Sequence, residues 1–232
     1  TAVANLARRL DGLPLALEVA ACFSGGFSPA QMVAGLDESG TLPRSRDRTL
    51  PERQRSLDDL LGWSERLLSP GEQAVLRRLS VFVGSFSLPA ARAATTGPPV
   101  EPAEASDHLW SLVDRTLVVA DASAGGTRYR MLELVRRFAG RRLVGADEEA
   151  TTVRAAATWF AGEVGPDRAS DRTWVGRVAA DVETLRSLVE RLTRLGTDDT
   201  VLAAELAATV TRYLEGVQAY RPAIEQAERW VG

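Results

Sequence analysis

Six arginines and one acidic residue lie between Gly125 and Leu143. Guanidinium groups bind phosphate oxygens through paired hydrogen bonds, so this basic stretch is a candidate contact for a nucleic-acid backbone. The same pattern is typical of a solvated helix face beside an acidic neighbouring domain, and both interpretations stay open. The arginines are Arg128, Arg130, Arg136, Arg137, Arg141 and Arg142, and the acid is Glu133.

Lysine does not occur in the sequence, since all 28 basic residues are arginine. The chain can therefore contain no P-loop lysine, no kinase-type lysine and no Schiff-base lysine. Cys22 is the only cysteine and His108 the only histidine, which excludes an internal disulfide, a cysteine-based zinc finger and a histidine-pair metal site. We expect no catalytic residues and no metal ligands.

Length and composition are those of a globular protein with two or three small domains. The chain has 232 residues, of which 45% are hydrophobic and 25% are charged. It contains no apolar run long enough to span a membrane, and no charged leader precedes an apolar run at its start. We expect a cytoplasmic, monomeric chain without membrane contact.

Charge is spread unevenly along the chain. Arginines and acids balance over residues 1–54. Residues 55–146 carry twelve arginines against ten acids, and residues 147–232 carry ten against fifteen, which gives net charges of +2 and −5. The proximity of opposite charges predicts that Arg136, Arg137, Arg141 and Arg142 contact Asp147-Glu148-Glu149, tuning how two domains dock.

Residues 1–54 predict a small helical domain followed by a linker. Apolar residues recur at helical spacing from Asn5 to Phe23. Pro14 interrupts this pattern, because it lacks an N–H and suits the first position of a new helix. Ser28-Pro29 predicts another helix start, and the polar, proline-containing stretch from Asp37 to Arg55 predicts the linker.

Residues 55–146 predict a winged-helix domain. Ser69-Pro70-Gly71-Glu72 matches a helix capping box, and Ser87-Leu88-Pro89 opens a further helix. A helix from Glu104 to Asp114 precedes two strands joined by glycines, and a last helix completes the domain. The strands are Thr116–Ala120 and Thr127–Met131, the turn is Gly125-Gly126, and the last helix is Leu132–Leu143.

Residues 147–232 predict an all-helical segment of tetratricopeptide-like repeats. The helices combine many alanines with large anchors such as Trp159 and Tyr213, a pattern that suits stacked antiparallel helix pairs. Gly196 and Gly216 are expected to end helices. The predicted helices are Glu148–Val164, Trp174–Leu195, Thr200–Glu215 and Tyr220–Val231, so the fold class of the whole chain is mainly α.

Several segments resemble the NB-ARC/STAND family of signal-transduction ATPases. Leu10-Asp11-Gly12-Leu13-Pro14-Leu15-Ala16-Leu17 is similar to the segment that opens the small helical domain of that family. The segment from Ser56 to Leu88 resembles the start of its winged-helix domain, and the segment from Leu109 to Leu143 resembles the wing and last helix. The order of the segments is most similar to bacterial regulators of the SARP and LuxR types.

The resemblance implies where nucleotide would be contacted in a longer parent protein. Pro14 would pack against the adenine of ADP or ATP, and Gly12 would shape the turn before it. Leu132 and Glu133 take the positions of the histidine and aspartate in the Met-His-Asp motif of the family. Leucine cannot donate a hydrogen bond to a phosphate, so phosphate sensing at Leu132 is not expected, whereas Glu133 keeps a helix N-terminal position.

Two functional interpretations follow. In the first, the chain couples the nucleotide state of an upstream NTPase domain to helical repeats that bind a protein or small-molecule ligand. The fragment itself then needs no cofactor, and the DNA contacts of the parent protein are expected in another domain. In the alternative, the winged helix is a transcription-factor domain that binds DNA directly through Arg128, Arg130, Arg136 and Arg137.

Overall fold

A computed structural model describes residues 2–9, 17, 28–30, 32–34, 57–123, 126–165, 173–196 and 199–231. Within these ranges, the side chains of residues 57–60, 63, 123 and 217–231 are not described. Predictions that concern Gly12, Pro14, Cys22, Gly125 and the linker of residues 37–55 lie outside the described residues.

The described elements are mostly helices, which confirms the predicted fold class. In chain order they are α1 (Ala2–Arg9), α2 (Leu57–Arg66), α3 (Pro70–Leu79), β1 (Ser85–Ser87), α4 (Leu88–Thr95), α5 (Ala105–Asp114), β2 (Val118–Ser123), β3 (Gly126–Met131), α6 (Glu133–Gly145), α7 (Glu149–Val164), α8 (Trp174–Leu195) and α9 (Thr200–Val231).

Helices α3 and α4 begin where local capping chemistry predicts. At α3 the Ser69 hydroxyl accepts from the Glu72 backbone N–H at 3.2 Å, and the Glu72 carboxylate accepts from the Ser69 N–H at 2.6 Å. Pro70 occupies the first turn, where its missing N–H costs no hydrogen bond. At α4 the Ser87 hydroxyl accepts from the Ala90 N–H at 3.3 Å.

The predicted hairpin forms, but it belongs to a three-stranded antiparallel sheet in the order β1-β3-β2. Val118 pairs with Met131, and Ala120 pairs with Tyr129. Gly126 adopts a φ of 110°, which L side chains rarely adopt, at the position where β3 begins. The sequence prediction missed β1, because three residues carry no measurable alternation and their partner strand is more than forty residues away.

The winged-helix core is built from side chains of α3, β1, α5 and α6. Leu79, Phe86, Leu112 and Leu143 are fully buried there. Phe82 stacks on Phe86 with ring centroids 4.7 Å apart, a spacing typical of favourable aromatic pairs. This core fixes α4, α5 and the wing relative to one another.

Helices α7, α8 and α9 pack side by side, and α7 and α8 also contact the winged helix. Helix α4 packs on α7, and β1 approaches α8. The Thr184 hydroxyl accepts from the Val83 N–H at 3.0 Å and donates to the Val83 carbonyl at 2.8 Å. The N–H and the carbonyl of Val83, in the segment after α3, are therefore both hydrogen-bonded by a residue 101 positions later in the chain.

The prediction that Gly216 ends a helix is wrong. Helix α9 runs without interruption from Thr200 to Val231 instead of forming helices Thr200–Glu215 and Tyr220–Val231. Glycine in a helix interior costs only about 1 kcal/mol relative to alanine, which continued main-chain hydrogen bonding outweighs. The expected stop at Gly196 is confirmed, since α8 ends at Leu195 and Gly196 has a φ of 121°.

Candidate functional site

Helix α5 occupies the position of the recognition helix in a helix-turn-helix pair with α4. In such pairs the second helix enters the major groove of DNA. The buried side of α5 carries Ala105, Leu109 and Leu112. The opposite side carries Asp107 and Trp110, which are both exposed, and the exposed fraction of Trp110 is 49%.

The charge around α5 does not favour a phosphate backbone. Residues 101–115 contain four acids and one arginine, Arg115. The acids are Glu101, Glu104, Asp107 and Asp114, and all four are exposed. DNA carries a negative phosphate about every 1.7 Å of its axis, so this surface would repel a groove unless a partner neutralised it.

The wing presents Arg128 and Arg130 on one face of β3, while Tyr129 and Met131 point into the core. The Arg130 Nε lies 3.3 Å from the Asp121 carboxylate on the neighbouring strand. Both side chains of this pair are substantially exposed, so the pair contributes at most about 1 kcal/mol and can exchange its partner.

Arg128 extends from the wing towards α8. Its guanidinium donates to the Ser85 hydroxyl at 3.1 Å, to the Ser85 carbonyl at 2.8 Å, and to the carboxylate of Asp181. Burial raises the pKa of Asp181, and the adjacent Arg128 only partly opposes that effect. Arg128 thus connects β3, β1 and α8. Among the four arginines that the alternative interpretation assigns to DNA, it is the one shown to join the winged helix to the helices that follow it.

Helix α6 carries the rest of the basic stretch, but its arginines are not a row of unpaired cations. The Glu133 carboxylate accepts from Arg136 at 2.9 Å and from Arg137 at 2.8 Å. Burial raises the pKa of Glu133, but these two hydrogen bonds outweigh burial and hold the pKa below its usual range. Arg142 lies 2.9 Å from the Glu65 carboxylate of α2 and its guanidinium stands 5.0 Å from the Phe138 ring. Arg141 is exposed.

The predicted contact between these arginines and Asp147-Glu148-Glu149 is wrong in its partners. The Glu149 carboxylate lies 2.9 Å from Arg191 of α8. Glu148 accepts from Arg77 at 2.7 Å and from Arg78 at 3.0 Å, both on α3. Arg136 and Arg137 pair with Glu133 within α6, and Arg142 pairs with Glu65 of α2, so these three arginines are engaged away from the acids at the start of α7.

Arg78 is the centre of a cluster that sequence reasoning missed. Its Nη1 donates to the carbonyls of Thr95 and Gly97, each at 2.7 Å, and its Nη2 donates to the carbonyl of Pro98 at 2.6 Å. The side chain is buried, with Glu148 as counter-ion. The sequence offered one signal of this burial. Arg78 lies three residues after Val75, a spacing that places its side chain on the apolar side of α3.

Burial also affects Glu148 in this cluster. Removal from solvent raises the pKa of its carboxyl, but the hydrogen bonds from Arg77 and Arg78 outweigh that effect and bring the pKa below its usual range. The carboxylate therefore stays ionised at neutral pH. The cluster joins α3, the connection after α4, and the start of α7 by charge-assisted hydrogen bonds.

The residues that the family resemblance implies for nucleotide contact are not assembled into a described site. Leu132 is 4% exposed and its main chain starts α6, so its side chain belongs to the core. Glu133 is occupied by Arg136 and Arg137. Gly12 and Pro14 lie outside the described residues. Among the residues that the structure places, no group of acids, histidines and cysteines could hold a metal ion.

None of the helices in the described ranges combines the length and the apolar character that crossing a bilayer requires.

Comparison with known proteins finds similarity over part of the chain. A family model described as a winged helix-turn-helix domain matches residues 68–154. A candidate HTH-type transcriptional regulator of Mycobacterium tuberculosis is 45% identical over 142 residues, which is 61% of this chain and 16% of that protein. A candidate HTH-type transcriptional regulator of Mycobacterium bovis has the same identity and coverage.

A further relative, an uncharacterized protein of Mycobacterium tuberculosis, is 35% identical over 142 residues, which is 61% of this chain and 36% of that protein. The matched segment thus spans only about a sixth or about a third of these curated relatives. The α4–α5 pair and the β2–β3 wing agree with the matched family. Residues 68–154 therefore form a winged helix-turn-helix domain.

Proposed function

We propose that this chain is a regulatory segment of a transcriptional regulator, and that its winged-helix domain contacts DNA. Two findings support the proposal: the winged helix-turn-helix match over residues 68–154 and the descriptions of the mycobacterial relatives. These findings favour the alternative interpretation of the sequence over coupling to an ATPase. The observation that carries the proposal is that Arg130 of the wing and Arg137 of α6 hold only exposed ion pairs, which phosphate oxygens could displace.

The charges limit how such a contact could form. The acids around α5 disfavour insertion of that helix into a groove, so the wing and α6 are the surfaces that would approach phosphates. Arg130 and Arg137 are the suitable residues, because their ion pairs are exposed and cost little to exchange. Arg128 is excluded, since it already bridges Ser85 and Asp181. We therefore expect weak, backbone-directed binding.

DNA binding can be tested by fluorescence anisotropy with a labelled duplex at several salt concentrations. The test variant is Arg130→Gln combined with Arg137→Gln. The matched control is Arg186→Gln combined with Arg194→Gln, two exposed arginines of α8. If the wing and α6 contact phosphates, the slope of log K against log salt falls by about 0.9 for each lost contact, while the control keeps the wild-type slope.

A second function, docking of the winged helix onto another domain of the same protein, is favoured by a specific observation. Arg136 and Arg137 share an internal acid, and the outer side of α5 is acidic rather than basic. The resemblance to STAND ATPases suggests an upstream NTPase domain with bound ADP or ATP as that partner. Absence of duplex binding even at 50 mM salt would reject the first proposal and leave this one.

A further inference from the structure

The outer surface of α5 combines an exposed indole with acidic side chains. Asp107, Trp110 and Asp114 follow one another at spacings of three and four residues, which places them on one side of the helix. All three are exposed, and Glu104 continues the surface towards the start of α5. Trp110 is the one aromatic residue among the large exposed apolar side chains that the structure describes. Together these four residues form the α5 face.

The bases of residues 101–115 do not neutralise the carboxylates of the α5 face. Asp107 and Asp114 form no ion pair with any residue in the described ranges. Arg115 follows directly, but its Nε lies 3.9 Å from the Glu72 carboxylate of α3, which offsets its charge. His108 is half-buried, and its protonation would add a single positive charge beside three carboxylates. The α5 face is therefore acidic.

The inner side of α5 is held firmly against α3. Leu112 is fully buried, and the Ser111 hydroxyl donates to the Glu72 carboxylate. The His108 ring lies directly against Gly71, so close that a Cβ atom at this glycine would overlap the ring. The α5 face is thus presented by a fixed helix. A partner that binds it does not have to order the helix first, which removes one of the costs of association.

We propose that the α5 face docks an arginine-rich segment of a protein partner. A guanidinium donates paired hydrogen bonds to a carboxylate such as that of Asp107 or Asp114, and it stacks on an indole such as that of Trp110. Tryptophan and arginine are also the residues that most often carry the binding energy of protein interfaces. The same carboxylates repel the phosphates of DNA. The inference names a surface and a partner chemistry for docking of the winged helix, and it does not rest on the DNA contact.

The probes are two fluorescein-labelled peptides of equal length, one alternating arginine with glycine and the other alternating lysine with glycine. Their binding to the 232-residue chain is measured by fluorescence anisotropy at neutral pH and moderate salt. The arginine peptide is expected to bind about twofold to fivefold more tightly, because a guanidinium stacks flat on an indole and also pairs with a carboxylate through two hydrogen bonds. Trp110→Ala is expected to remove this preference and to leave part of the binding.

A pair of double variants tests the charge of the α5 face. Asp107→Asn combined with Asp114→Asn is expected to weaken the arginine peptide about threefold to tenfold, since each exposed ion pair contributes little by itself. The matched control is Glu183→Gln combined with Glu190→Gln, two exposed acids of α8. It removes the same charge from the chain and is expected to keep the wild-type affinity. Circular dichroism checks that both double variants fold.

Several outcomes would overturn the proposal. Equal weakening by the two double variants would show a response to overall charge, and a preference for arginine that survives Trp110→Ala would place the peptide elsewhere. Absence of binding by both peptides would reject the docking surface. Loss of duplex DNA binding in the Asp107→Asn, Asp114→Asn variant would make DNA the occupant. Self-association in sedimentation velocity that this variant abolishes would make a second copy the occupant. The variants of Arg130 and Arg137 decide the DNA contact separately.

Discussion

The Nε of Arg78 donates to Oε2 of Glu148 at 3.0 Å, although the two residues lie 70 positions apart in the chain. Arg78 belongs to α3 and Glu148 directly precedes α7, so the pair ties the winged helix to the helices that follow it. The Nη1 and Nη2 groups of Arg78 also donate to the carbonyls of Thr95, the last residue of α4, and of Gly97 and Pro98 just after it. This relationship leads to the first two predictions.

Arg78→Lys should lower the free energy of unfolding by about 2–4 kcal/mol, measured by urea denaturation at neutral pH. A lysine ammonium is a compact group, whereas a guanidinium donates in several directions at once. The ammonium therefore cannot reach three carbonyls and a carboxylate together. Arg92→Lys on α4 is the control, since Arg92 is exposed and its replacement should change stability by less than about 0.5 kcal/mol. Equal midpoints for the two variants would contradict the prediction.

Glu148 should contribute a component of stability that is lost in acid. Its pKa is lowered in the folded chain, so its contribution is fully present above the unfolded pKa of about 4.3 and disappears as pH falls through the folded value. The difference in unfolding free energy between wild type and Glu148→Gln should therefore shrink from pH 7 to pH 3. A difference that stays constant over this range would show that ionisation of Glu148 is not involved.

Asp181 should behave in the opposite sense. Burial raises its folded-state pKa, so its ionisation costs stability as pH rises from about 3.9, the usual aspartate pKa, through the raised value. The stability advantage of wild type over Asp181→Asn should fall as pH increases across this window and then level off. Denaturation curves from pH 3 to pH 8 measure it, and an advantage that grows with pH would contradict the assignment.

Phe160→Ala should destabilise the chain by about 3–5 kcal/mol. Phe160 is 1% exposed and its ring lies edge-on to Phe82 of the winged helix, so the substitution leaves a cavity between two units. Trp110→Ala is the comparison, because Trp110 is about half exposed and should cost less than about 1 kcal/mol. Two separate unfolding transitions for Phe160→Ala would indicate that this contact makes the units cooperative.

The 232-residue chain should show no ATP hydrolysis and no micromolar affinity for ADP. The reason is chemical: without lysine, no side chain can take the role of the P-loop lysine that grips the β- and γ-phosphates. Isothermal titration calorimetry with ADP and a phosphate-release assay with ATP measure the two quantities. A micromolar dissociation constant for ADP would show that this chain holds nucleotide through other residues.

The sequence by itself determined the elements whose signals are local. The capping box from Ser69 to Glu72 and the proline after Ser87 fix helix starts through bonds that span three residues, and α3 and α4 begin there. Alternation on either side of Gly126 predicts the β2–β3 hairpin, because a two-strand pairing needs only a tight turn. The order of these elements was enough to predict a winged helix.

Only the tertiary structure decided which charges meet and which short segments pair. Arg128 contacts Asp181, Arg78 contacts Glu148, and β1 joins β3, all across more than forty residues of sequence. The net charges of residues 55–146 and 147–232 predicted attraction, but not which residues form the pairs. Attraction between charges does not by itself select which residues pair. The packing of apolar side chains such as Phe82, Phe86 and Phe160 sets the distances between the charged groups, and these distances select each ion pair.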